Sequence, residues 1–140
     1  MSKGIVSCEI DIDVPFFDVD LMEIVWHGHY VKYFEMARCA LLDKIDYGYM
    51  NMRASGYAWP VIDLRIRYAR PVKFSQKIKV QAHLVEWQHR LKITYQIIDK
   101  ESGIRLTRGY TTQVAVDMAT HEMCYESPAL LWQKLGLQKL

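Results

Sequence analysis

A chain of 140 residues, 51% of them hydrophobic, is long enough for one domain with a real core and too apolar to be disordered. Its 18 basic and 16 acidic side chains leave a net charge of +2 with no basic run, which argues against a nucleic-acid partner. Cys8, Cys39 and Cys124 are odd in number and form no CxxC pair, so neither a disulfide framework nor a zinc knuckle is expected.

Val6, Cys8, Ile10, Ile12 and Val14 alternate with polar residues and predict a half-buried strand that Pro15 ends. A loop carrying Asp18 and Asp20 follows. Tyr30, Phe34, Ala37, Leu41 and Ile45 recur at spacings of three and four, which predicts a helix over 30–45 that is apolar most of the way round. Gly48 is the expected stop, and 47–56 reads as a turn or irregular segment. Alternation then predicts strands around Ile62–Tyr68, Ile78–Leu84, Leu91–Ile97 and Ile104–Val116, the last with Gly109 as a possible bulge. Ala129 to Leu135 suggests a short closing helix. Short breaks between strands suggest an antiparallel meander.

No apolar run approaches the ~20 residues of a membrane span, and 1–7 lack the apolar core of a signal peptide. The expected setting is a reducing cytoplasm. One antiparallel sheet has one apolar face, and one very apolar helix needs burying on several sides. A sheet curled around the helix satisfies both, giving an α+β hot-dog domain over 1–140. Its open sheet edges favour pairing with a second copy, as a homodimer or homotetramer.

The loop suggests chemistry. A helix start presents unpaired N–H groups with partial positive charge. A carboxylate held beside it can attack an acyl carbon or activate water while those N–H groups receive the oxyanion. Taken alone, either aspartate could equally turn the loop or cap the helix. His27 and His29 diverge if the segment is helical, which argues against a shared metal. No Gly-x-Ser-x-Gly motif supports a serine triad. Glu35 and Arg38, three apart, are expected to pair. His89 and Arg90 sit between two strands, either as phosphate-binding groups or as an ordinary polar hairpin. Arg65, Arg67 and Arg70 line a binding rim or a solvated strand face.

Asp18, Asp20, Val25, Trp26, His27, Tyr30, Tyr33, Glu35, Ala37 and Arg38 together resemble the hot-dog thioesterases of the 4-hydroxybenzoyl-CoA and Tol-Pal-associated acyl-CoA type. That resemblance implies hydrolysis of acyl-CoA or acyl-carrier-protein thioesters without a cofactor. It places the catalytic carboxylate on Asp20 and the oxyanion N–H on His27, with Glu23, Trp26, Tyr30, His89 and Arg90 around the substrate. One departure is Glu23, where the family usually has Gly. Glycine permits a positive φ and close backbone approach, so Glu23 is expected to forfeit both. Two rivals remain at this level. One is a hot-dog dehydratase of 3-hydroxyacyl thioesters, for which Glu35 is a candidate acid–base group. The other is a non-catalytic acyl or acyl-carrier binding module.

Overall fold

The computed structural model describes residues 5–138. In chain order the elements are β1 (Val6–Asp13), α1 (His29–Lys44), α2 (Tyr49–Ala54), β2 (Tyr57–Ala58), β3 (Val61–Tyr68), β4 (Lys77–Glu86), β5 (Leu91–Asp99), β6 (Arg105–Gln113), β7 (Val116–Asp117) and α3 (Ala129–Lys134). Five strands make one antiparallel sheet in the order β1-β4-β5-β6-β3, and β2 pairs with β7 in a two-residue ladder. The hot-dog architecture expected from the face count is present.

The meander holds for β4, β5 and β6 but not for β3. That strand lies at the far edge beside β6, with Arg65 opposite Tyr110 and Arg67 opposite Arg108. Beside β4 sits β1, with Ile10 opposite Val80.

Alternation fixes the inner face. Ile78, Val80, Ala82 and Leu84 on β4, and Leu91, Ile93, Tyr95 and Ile97 on β5, are all buried. Phe34, Ala37 and Leu41 of α1 press against them and are fully buried themselves. The Phe34 ring stacks on Tyr95 with centroids 4.4 Å apart. Gly109 makes this approach possible: a Cβ there would collide with the Phe34 ring and the Arg65 carbonyl. It is therefore a packing glycine rather than a bulge. The register shifts fall instead between Val61 and Asp63, Leu84 and Glu86, and Ile97 and Ile98.

Two boundaries also differ from expectation. α1 ends at Lys44, and Gly48 caps the start of α2 instead of closing α1. The segment read as irregular contains that two-turn helix. α1 packs mainly on β1 and β4 and meets β3 only in part, through the Tyr30 ring set edge-on to Tyr68 at 4.7 Å, so Leu64 and Tyr68 are 41% and 47% exposed although they belong to the inner, apolar alternation. Among the described residues no helix is long and apolar enough to cross a membrane.

The sheet has two ends. Asp13, Tyr68, Lys77, Asp99 and Arg105 mark one, and Val6, Val61, Glu86, Leu91 and Gln113 mark the other. The loop after β1 and the start of α1 lie at the first.

Candidate active site

The base of the loop is built around Asp18. Pro15 ends β1, and Phe16–Asp18 form one 3₁₀ turn that points the Asp18 side chain inward. Its carboxylate is 1% exposed. Lys32 Nζ donates to Oδ1 at 2.6 Å and the Tyr33 hydroxyl donates to Oδ2 at 2.7 Å. His29 Nε2 lies 3.9 Å from the same carboxylate. Burial pushes the Asp18 pKa up, but the bonds from Lys32 and Tyr33 and the charges of Lys32 and His29 outweigh it and hold the pKa below the usual value. Burial, reinforced by Asp18, raises the pKa of Tyr33. Asp18 thus pins the loop to the first turns of α1.

The tip of the loop is open. Val19 bridges to Val25, and the Asp20 N–H donates to the Ile24 carbonyl at 2.9 Å. Asp20 Oδ1 accepts the Met22 N–H at 2.8 Å, while Oδ2 has no partner among the described residues. Leu21 is fully exposed and Met22 is 75% exposed. Glu23 has φ +60°, the left-handed conformation that favours glycine. The expectation that Glu23 forfeits this conformation is therefore corrected: the backbone keeps the glycine-like turn and carries the strain. The Phe74 N–H, donating to the Glu23 carbonyl at 3.0 Å, anchors it.

The helix start is tied to the same loop. Trp26 N–H donates to the Asp18 carbonyl at 3.0 Å. Among the described residues the N–H groups of His27 and Gly28 have no acceptor, and no side chain caps the helix. The Tyr68 hydroxyl donates to the His27 carbonyl at 3.0 Å, fixing the peptide that carries the Gly28 N–H. A Cβ on Gly28 would run into the half-exposed Trp26 indole, which would have to swing aside. That indole lies 5.0 Å from the His27 ring and 5.4 Å from the His29 ring. An exposed carboxylate and two free backbone donors under an aromatic cover are the parts acyl transfer requires.

Of the residues singled out in the sequence, the structure gathers Asp20, Glu23, Trp26 and His27 in this loop. Tyr30 is buried, and its hydroxyl accepts the Val72 N–H at 3.1 Å, so it builds the frame. Glu35 and Arg38 pair at 3.3 Å as expected. His89 and Arg90 stand apart. They form the β4–β5 turn at the opposite end of the sheet, and the ten residues of β4, at ~3.3 Å each, put roughly 30 Å between the ends. Arg90 Nε is held by Glu86 at 2.9 Å, and His89 Nδ1 lies 3.1 Å from the Tyr125 carbonyl oxygen. Tyr68 was missed by sequence reasoning; its only signal is that it ends the inward alternation of β3.

A groove of about 770 Å³ lies at that opposite end, between α1, α2 and β2. Leu42, Met50, Met52, Trp59 and Met118 give it an apolar lining, with Arg38 beside them.

This chain belongs to the thioesterase-like superfamily, whose family model matches residues 14–133. Among its relatives, a Synechocystis sp. protein provisionally named an esterase is 30% identical over 91% of this chain and 77% of its own length. A Bacillus subtilis protein provisionally named an acyl-CoA thioesterase is 29% identical over 76% of this chain and 78% of its own. Among solved structures, the DHNA-CoA thioesterase of Staphylococcus aureus superposes with a TM-score of 0.77 at 26% identity, covering 85% of this chain and 80% of that one.

Proposed function

We propose that this protein hydrolyses acyl-CoA thioesters. The Asp20 carboxylate attacks the thioester carbon or activates the water that does, and the N–H of His27, at the uncapped start of α1, receives the oxyanion. Breaking the C–S bond sends off the thiolate, which takes up a proton; where water attacked, the acid is left, and where Asp20 attacked, a mixed anhydride is left that a water then hydrolyses to the acid and free Asp20. The observation that carries the reading is an exposed Asp20, with one oxygen unengaged, on the same tied loop that leads into two unpaired N–H groups at the start of α1. The names of the relatives add acyl-CoA as the substrate class.

The working unit in this reading is a dimer. β3 has an unpaired outer edge and exposed inward-facing Leu64 and Tyr68. Antiparallel pairing of β3 with its copy about a two-fold axis reverses the strand. It therefore sets the loop end of one subunit beside the groove end of the other. Asp20 of the partner subunit would then face the Met50–Trp59 groove, a pliable apolar seat for an acyl chain. The test is thiol release from a panel of acyl-CoA and acyl-carrier thioesters, with sedimentation of the same sample. Turnover by a dimer is expected. Absence of turnover on every thioester counts against hydrolysis, and an active monomer counts against the shared site.

A further inference from the structure

The start of α1 carries two unpaired backbone donors, and hydrolysis by the route above uses only one. The second is the Gly28 N–H, which has no acceptor among the described residues. It belongs to the same peptide as the His27 carbonyl. A peptide is planar and trans, so its C=O and N–H point in opposite directions and turn together. The Tyr68 hydroxyl, 41 residues away in the chain, donates to that carbonyl at 3.0 Å. Fixing the oxygen fixes the direction of the N–H. The bond also polarises the peptide, because an amide that accepts at its oxygen donates more strongly from its nitrogen.

Tyr68 is 47% exposed, yet it is held. Its ring stands edge-on to the buried Tyr30 with centroids 4.7 Å apart. Just beyond it the Arg70 N–H donates to the Leu106 carbonyl, and the Val72 N–H donates to the Tyr30 hydroxyl. The Val72 carbonyl accepts the Val25 N–H at 2.8 Å. The end of β3, the loop and the first turn of α1 are thus stitched to one another around this side chain. Burial pushes the Tyr68 pKa up, so the hydroxyl stays protonated and remains a donor. The fold has little need of it. The His27 carbonyl already accepts the Tyr30 N–H at 3.4 Å, and His27 is exposed, so water can replace the hydroxyl as a donor. What water does not supply is a fixed direction.

We infer that Tyr68 is a positioning residue for hydrolysis: through the His27 carbonyl it aims and strengthens the Gly28 N–H as a second oxyanion donor alongside that of His27. The inference rests on the acyl-CoA reading above. Negative charge grows on the thioester oxygen as the tetrahedral centre forms, so a better-aimed donor acts more on the transition state than on the bound substrate.

The test compares Tyr68→Phe, which keeps the ring against Tyr30 and removes only the hydroxyl, with Tyr110→Phe, which removes a hydroxyl bonded to Asp63. On an acyl-CoA, Tyr68→Phe should lower kcat about tenfold with little change in KM or in the urea midpoint. Loss of a whole oxyanion donor costs about 10²–10³-fold, and here the N–H itself remains. Tyr110→Phe should turn over as wild type does. A second readout needs no turnover: the infrared carbonyl stretch of a bound ¹³C-labelled ketone analogue of the acyl-CoA, in which CH₂ replaces the sulfur. Wild type should hold that band at lower wavenumber than Tyr68→Phe does, a difference that a merely structural role would not produce. The inference is overturned by an unchanged band, by an unchanged kcat, or by a fall in kcat that follows a lowered urea midpoint. In each of these cases hydrolysis by wild type leaves the acyl-CoA reading standing. If wild type hydrolyses no thioester, that reading fails and the inference fails with it.

Discussion

The base and the tip of the loop after β1 use the same residue type for opposite ends. Asp18, at the base, is buried and receives bonds from Lys32 and Tyr33. Asp20, two residues on at the tip, is exposed and receives only the Met22 N–H. The difference lies in the chain path. The 3₁₀ turn faces Asp18 toward α1, and the Val19–Val25 bridge lifts the next residues away from the core. A buried carboxylate with both oxygens bonded to Lys32 and Tyr33 stabilises structure and is shut off from a substrate. One that is exposed and has a free oxygen is available for chemistry. The base holds still so that the tip can be exposed in a fixed place.

The largest change should come from uncovering the tip. Leu64→Lys puts a charge on the apolar side of the β3 edge and should yield monomers by sedimentation. Turnover should fall about 100-fold, because Asp20 loses the partner subunit's groove that holds the acyl chain in place. Monomers with full turnover would mean that the tip works unaided.

Loosening the base is next. Asp18→Ala should cost about 2–3 kcal/mol in urea unfolding, since it leaves the buried Tyr33 hydroxyl without its acceptor. The pH dependence has a definite sign. The folded-state pKa of Asp18 is depressed, so its contribution is complete above the ordinary aspartate value of about 4 and is lost as pH falls through the lower folded value. The acid limb of the stability profile should flatten in Asp18→Asn. An unchanged limb would remove Asp18 from that role.

A smaller effect tests the strained turn. Glu23→Gly should stabilise by about 1 kcal/mol, because a positive φ suits glycine. It should keep or improve turnover on bulky acyl thioesters. A loss of stability would show that the Glu23 side chain gives more than its backbone costs. The smallest effect is expected for His27→Ala, within about tenfold of wild-type turnover, because the role assigned to His27 is a backbone N–H that alanine retains. A drop as deep as that expected of Asp20 would transfer the chemistry to the imidazole.

Much of this was legible in the sequence where the signal is local. The alternation of β1, β4 and β5 and the spacing of α1 are short-range patterns, and they predicted those elements. The loop motif marked out Asp20 and His27, both of which lie on the loop between β1 and α1. Other features depend on partners far along the chain. β3 reads as a strand, but its place beside β6 comes from pairing Val61 with Gln113, and no local pattern encodes that. α2 spans only Tyr49–Ala54, two turns that expose Tyr49 and Met50, too short for a helical period to show. Gly109 looked like a bulge because its partner, the Phe34 ring, comes from another element. Tyr30 and Tyr68 look alike in sequence, yet one hydroxyl accepts the Val72 N–H and the other orients the His27 peptide.

The division of labour between base and tip is tested most directly by measuring kcat on an acyl-CoA and the urea midpoint in Asp18→Asn and Asp20→Asn side by side. The account predicts a crossed result. Asp20→Asn should keep the wild-type midpoint and lose about 10²–10⁴-fold in kcat. Asp18→Asn should lower the midpoint and, at temperatures where it stays folded, retain most of its turnover. Asp20→Asn turning over within a few-fold of wild type, or losing its midpoint along with its activity, would contradict it.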